Sequence, residues 1–162
     1  MPSVPYTYVP KDLLQNGAVR PYPAILMEMR RSGVPGIDYL RWGSHFCQFF
    51  EGPQQLLDLL LPYFPAGLET NECCVWVTAP PLTRADALTA LRRGMTNFDR
   101  YLDSGQLEVF DYKQWYLESG TFEADRVLKG WTAKHSVARA KGFEGLRVSG
   151  NPIWLETSDD WR

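Results

Sequence analysis

Short runs rich in β-branched and aromatic residues recur along this chain with helix-length segments between them, and that alternation constrains the fold more than any other feature. The runs are about His45 to Phe50, Glu72 to Thr78, Gln106 to Asp111 and Gly145 to Ser149. Strands separated by helices imply βαβ units, a parallel sheet and right-handed crossovers. The expected fold is α/β and three-layer, with a mainly parallel sheet of four or five strands. A chain of 162 residues, 44% of them hydrophobic, has enough material for one domain with a proper core.

The segments between the runs read as helices with identifiable ends. Gln54 to Phe64 is leucine-rich, and Pro62 predicts a kink or an early end, with Gly67 closing the segment. Thr83 followed by Asp86 resembles a capping box, with Ala87, Leu88 and Leu91 as the apolar stripe behind it. A further turn of helix spans Phe98 to Leu102. A longer helix, about Phe122 to Lys141, carries Val127, Trp131, His135 and Ala138 on one stripe, which reads His135 as a core or subunit-contact residue. Trp115-Tyr116 is expected in a loop beyond the third strand. Residues 1–35 form an N-terminal unit: a Pro/Tyr-rich arm to Pro23, then a short helix from Ala24 to Arg31 closed by Gly33 and Pro35. Residues 36–162 form the folded domain.

In the first run, His45 and Cys47 lie two positions apart, so on a strand they share one face. They can be two metal ligands, a Cys–His nucleophile pair, polar points in an apolar ligand pocket, or packed core residues. Cys73 and Cys74 face opposite ways on their strand, so only one can join them. There is no C-x-x-C and no second His at ligand spacing, which argues against a metal. Three cysteines, all in apolar sequence, suit reduced thiols.

Thr78, Asp111, Ser149 and Asn151 fall at or just beyond strand ends, and in a parallel sheet these rise toward one rim, where ligands usually bind. Trp115 and Tyr116 can wall a pocket there or pack over the sheet edge. Arg147, inside the fourth strand, needs a partner: Asp111, Glu51 or an anionic ligand group, unless it belongs to an internal ion pair.

Several functions are excluded or disfavoured. The turn Phe50-Glu51-Gly52-Pro53-Gln54-Gln55 has one Gly, no Lys, an acid, and a Pro without an N–H, so it cannot wrap phosphates as a nucleotide-hydrolysing P-loop does. A formal charge of −2 supplies no basic field for nucleic acid or an anionic membrane. No apolar run approaches the ~20 residues of a membrane span and no leader resembles a signal peptide, which points to a cytoplasmic protein.

A set of blocks in order carries a family resemblance: Trp42-Gly43-Ser44-His45-Phe46-Cys47-Gln48-Phe49, Pro62-Tyr63-Phe64, Gly67-Leu68-Glu69 with Asn71-Glu72, Trp76-Val77-Thr78, Arg100-Tyr101-Leu102, Trp115-Tyr116-Leu117, Arg126-Val127-Leu128 with Gly130-Trp131, and Gly145-Leu146-Arg147 with Gly150-Asn151. From about Gly33 to Trp161 the chain resembles the MEDS domain, the methanogen/methylotroph sensory domain found in the regulator type that represses dichloromethane dehalogenase and in many histidine kinases. The resemblance implies a fold similar to RecA-like ATPases with the phosphate loop lost. It implies a non-catalytic sensor in prokaryotic signal transduction or transcription regulation, recognising small hydrocarbon derivatives such as one-carbon or halogenated compounds. Matching positions make His45, Cys47, Trp76, Thr78, Trp115, Tyr116, Arg147 and Asn151 the candidate ligand-binding residues. The chain departs from the pattern at Pro152, and it stops where similar sequences continue into a helix and a further strand. The domain is therefore expected to be C-terminally incomplete, with an open sheet edge that a second copy can cover. The expected partners are a small apolar or one-carbon-derived ligand and either a second copy or a regulatory protein. No cofactor, metal, nucleic acid or membrane is expected. Two other readings stay open: a degenerate nucleotide-binding fold serving dimerisation and protein contact without a ligand, and a Cys/His- or metal-dependent enzyme.

Overall fold

A computed structural model of the chain describes residues 14–15, 18–19 and 29–157. Within the N-terminal arm, two-residue strands β1 (Leu14–Gln15) and β2 (Ala18–Val19) pair antiparallel. The rest of the arm, residues 24–28 of the expected first helix and residues 158–162 lie outside the described residues. Met29 to Arg31 are strand rather than helix. They open β3 (Met29–Val34), which turns through Pro35 and Gly36 into the antiparallel β4 (Ile37–Arg41). The Gly and Pro signals here serve a hairpin, not a helix stop. Gly33 and Gly36 have positive φ of 73° and 81°, and the register shifts between Arg31 and Val34.

Helix α1 (Gly52–Leu68) opens on Pro53, where a missing N–H costs nothing, and runs through both Pro62 and Pro65 instead of ending early. Pro62 lies on the exposed face, where the carbonyl that loses its donor can reach water. Tertiary packing does the rest: a Cβ on Gly33 would sit 2.2 Å from the Pro62 carbonyl oxygen, so only glycine lets the hairpin lie this close to the helix.

Beyond α1 come β5 (Cys73–Thr78), α2 (Arg84–Gly94), α3 (Phe98–Asp103) and β6 (Leu107–Asp111), then α4 (Tyr112–Tyr116), α5 (Ala124–Ala140), β7 (Leu146–Gly150) and a 3-10 turn, Pro152–Thr157. The capping box of α2 is formed as expected: the Thr83 hydroxyl accepts from the Asp86 N–H, and the Asp86 carboxylate accepts from the Thr83 N–H at 3.0 Å. The Thr83 hydroxyl, donating to the Asp86 carboxylate at 2.6 Å, and after it the Thr83 N–H hold the Asp86 carboxyl below the usual carboxylate range. The expected loop at Trp115-Tyr116 is instead the end of α4, started by Asp111, whose side chain accepts from the Lys113 N–H at 2.9 Å.

Strand β5 is central, with β6 on one side and β7 on the other, all parallel, and every residue of β5 is buried. This is the near-continuous apolar signature of a strand covered on both faces. Its side chains alternate between two apolar layers. Cys74 and Trp76 join Leu60, Phe64, Leu91 and Leu107 beneath α1, α2 and α3, whereas Cys73, Val75 and Val77 join Ala138 and the half-buried Trp131 beneath α5. Phe64 stacks on Trp76 with ring centroids 5.3 Å apart. Each such fully buried side chain contributes about 1.5–3 kcal/mol.

Among the described residues the parallel sheet has three strands, not four or five, because the strand expected at His45 to Phe50 does not form. Residues 44–50 carry no ladder pairing. The α5 stripe also shifts by one position. Lys134 faces the sheet, paired with Glu108 and 5.0 Å over the Phe110 ring, and His135 is exposed rather than in the core.

Candidate functional site

The chain leaves β5 for β6 on one side and then crosses back to β7 on the other, so the strand order reverses between β5 and β7. In open α/β sheets the crevice outside the strand carboxyl ends at such a reversal is the usual ligand position. A cavity of about 610 Å³ reaches this end at Gly150 and Asn151 and runs back along β7 to Leu146 and Glu72. That lies within the roughly 300–1,000 Å³ of small-molecule sites. Leu56, Leu59 and Leu60 of α1 wall one side, Tyr116, Phe122 and Val127 another, and Trp42 with residues 43–48 and Phe50 the third; Trp76 and Val148 come from the sheet.

The floor is polar and tightly knotted. Glu72, 1% exposed, precedes β5, and Arg147, 6% exposed, lies in β7. Arg147 Nε donates to Glu72 Oε2 at 2.7 Å and Nη2 to Oε1 at 3.1 Å. Its remaining N–H groups donate to the carbonyls of Ser32 (2.7 Å), Tyr63 (2.8 Å) and Arg31 (2.6 Å). One guanidinium thus ties the hairpin, α1 and both strands together. Burial opposes its charge, but the Glu72 hydrogen bonds and the charges around it outweigh that and hold its pKa above the ordinary arginine value. Arg30 reaches the same carboxylate at 3.0 Å, and Thr70 Oγ1 donates to it at 3.1 Å. Gly67 leaves room for the knot, since a Cβ there would sit 2.5 Å from Arg147 Nε and 2.9 Å from Cys74 Sγ. The Tyr63 ring lies 4.7 Å from the Arg147 guanidinium carbon, and its hydroxyl donates to the Val148 carbonyl at 3.0 Å. Burial is the main cause that pushes the Tyr63 phenol up to about 12.

Of the eight residues singled out from the sequence, His45, Cys47, Trp76, Tyr116, Arg147 and Asn151 line this cavity. His45 and Cys47 reach it from an irregular, exposed segment rather than from a strand face. Asn151 is held at the rim, with Nδ2 donating to the Pro80 carbonyl at 2.7 Å and Oδ1 accepting from the Ile153 N–H. Burial raises the Tyr116 phenol above its usual value. The other two stand apart. Thr78 is buried and donates to the Phe110 carbonyl at 3.0 Å. Trp115 packs between Phe110 and Trp131, with centroids at 5.2 and 4.3 Å, and its indole N–H is buried without a partner among the described residues. Arg147 faces neither Asp111 nor Glu51 as its partner. All five of its donors are used inside the protein, so its place in the cavity wall is structural.

Sequence reasoning missed Glu72 and Tyr63 as parts of this floor. A single acid at the head of an otherwise apolar buried strand was the available signal, because such a charge requires a cation close by. Cys73 and Cys74 are buried, and burial is the leading cause raising both thiol pKa values. Among the described residues no three His, Cys, Asp or Glu side chains come together to hold a metal ion, and no helix is long and apolar enough to cross a membrane.

An α/β domain with an apolar cavity at a strand-order reversal and a structural ion pair beneath it is the class of protein defined so far. Residues 44–162 match the family described as MEthanogen/methylotroph, DcmR Sensory domain (MEDS), and the chain belongs to that family. No match is found among curated proteins or among solved structures.

Proposed function

We propose that this domain is a non-catalytic small-molecule sensor of prokaryotic signal transduction or transcription regulation, and that it takes small hydrocarbon derivatives into the cavity beside β7 and α1. The observation that carries the reading is the cavity itself: it is largely apolar, sits at the reversal of strand order, and has its one buried charge cluster neutralised from within by protein groups. His45, Cys47, Tyr116 and Asn151 supply a few polar points around the mouth, Trp76 supplies apolar wall, and Arg147 holds the walls in register. Parallel strands with helices on each face suit a degenerate RecA-like three-layer arrangement that has kept its ligand crevice without a phosphate loop.

A ligand acts here through differential affinity for two arrangements of the wall, which biases an attached or associated partner. Thermal-shift titration with dichloromethane, methanol and short-chain haloalkanes tests the reading. Ligand at about 100 times its Kd stabilises by about 2.7 kcal/mol. Leu60→Trp, which fills the cavity, should abolish that shift. No compound raising the melting temperature at saturation would count against sensing. The interaction-module reading is favoured by one observation, the 88% exposure of Phe49, and predicts self-association that Phe49→Ser weakens.

A further inference from the structure

The cavity is much larger than a one-carbon molecule. At about 30 Å³ for each water-sized group, a molecule of roughly two or three non-hydrogen atoms would leave most of the 610 Å³ to solvent, whereas one of about ten would fill roughly half of it. Sites of this volume hold ligands of the larger class. Leu56, Leu59 and Leu60 of α1, packed in one cluster with Phe50 and Trp76, supply apolar wall for such a molecule. A net charge on it has nothing to meet there among the described residues. Arg147 and Arg30 both pair with Glu72, and Arg41, the remaining arginine of the lining, is not free either.

One polar side chain on the rigid part of the wall is uncommitted. Ser149 is the register partner of Trp76 in the parallel ladder, and side chains at paired positions share a face of the sheet. Trp76 stacks on Phe64 of α1, so Ser149 faces α1 as well, on the same side of β7 as Arg147 two positions before it. Ser149 lines the cavity, half-buried, and its hydroxyl has no protein partner among the described residues. Asn151, by contrast, uses both ends of its amide on the Pro80 carbonyl and the Ile153 N–H. His45 and Cys47 sit on the exposed irregular segment, where a side chain is held less closely than on a strand. A hydroxyl both donates and accepts, so it can hold a neutral hydroxyl or carbonyl group, but it neutralises no charge.

Resting on the sensory site proposed above, we infer that Ser149 is its specificity-determining residue and that the ligand is a neutral medium-chain molecule of about ten non-hydrogen atoms. Its hydrocarbon part lies among the α1 leucines, Phe50 and Trp76, and its single hydroxyl or carbonyl group meets the Ser149 hydroxyl. Size and apolar wall set the affinity. Ser149 sets which end of the molecule is recognised.

The test is equilibrium binding of octanol, chlorooctane and octanoate to the full chain, read by tryptophan fluorescence because Trp42 and Trp76 line the cavity. From butanol to octanol the affinity should rise about fourfold per added methylene. Ser149→Ala should weaken octanol about threefold to tenfold and leave chlorooctane, whose chlorine is a poor hydrogen-bond partner, within about twofold. Leu60→Trp should abolish both, which separates binding in the cavity from non-specific partition. A far-UV spectrum checks that each variant is folded. Equal weakening of octanol and chlorooctane by Ser149→Ala, no weakening of either, an affinity flat with chain length, or octanoate binding as tightly as octanol at neutral pH would overturn the assignment. Binding of methanol and dichloromethane alone would overturn it while leaving the sensory reading in place, and no binding by any of these compounds would count against both.

Discussion

Replacing Arg147 with Met separates a structural arginine from a ligand-binding one. Methionine keeps much of the aliphatic stem and removes five N–H donors at once. The change strands a carboxylate that is 1% exposed and leaves the carbonyls of Arg31, Ser32 and Tyr63 without their donor. Breaking a buried ion pair by removing one partner costs about 3–5 kcal/mol. Arg30 and Thr70 still reach Glu72, which keeps the estimate toward the lower figure, while each abandoned carbonyl adds about 1 kcal/mol or more where water cannot enter. A loss of about 4–6 kcal/mol is a large part of the roughly 5–15 kcal/mol of a domain this size. Urea unfolding should show the midpoint collapsing with an unchanged slope. The double variant Arg147→Met with Glu72→Leu should recover a good part of the loss, because an apolar pair leaves no stranded charge and Arg30, partly exposed, can turn to water. If Arg147→Met unfolds within about 0.5 kcal/mol of the parent chain, the knot is not structural and the reasoning fails.

Gly67→Ala should destabilise by about 1–3 kcal/mol despite the higher helix propensity of alanine, because its Cβ would overlap Arg147 and Cys74; a thermal melt above the parent's would refute the close approach. Thr83→Ala removes the α2 capping box and should cost about 0.5–2 kcal/mol in the same denaturation assay. The Tyr63 phenol is raised on folding to about 12, so its contribution to stability is complete below pH 10 and is lost as pH rises toward 12; Tyr63→Phe should flatten alkaline unfolding in that window. A thiol reagent at neutral pH should modify Cys47 quickly and Cys73 and Cys74 only on unfolding, and equal labelling of all three would contradict the placement of the last two.

What was legible in the sequence is what local chemistry decides. The buried strand expected at Glu72 to Thr78, the Thr83–Asp86 cap and the leucine-rich helix over Gln54 to Phe64 follow from patterns that need no distant partner. The run at His45 to Phe50 has comparable β-propensity but no strand beside it, and β-propensity acts only through such neighbours. Arg30 and Arg31 read as the polar end of a helix because their acceptors, Glu72 and Glu69, lie about forty residues away. His135 and Lys134 differ by one helical position, a step that periodicity alone does not resolve when lysine can lay its stem on an aromatic ring. Of the site, the rim position of Asn151 follows from its place just beyond a strand end, whereas Trp76 entered only through the family resemblance. The partner of Arg147 was not, since nothing local names Glu72.

A single guanidinium clasps the hairpin's first strand, α1 at Tyr63, and Glu72 at the head of the central strand to the edge strand β7, so those parts are tied to one another. Residues 43–50 enter no such clasp, although they form a whole side of the hollow. Compliance is therefore distributed unevenly around it: on the sensory reading proposed above, a molecule that changes the volume of that space is expected to displace this flank first, and the phenyl ring of Phe49, 88% exposed, rides on it.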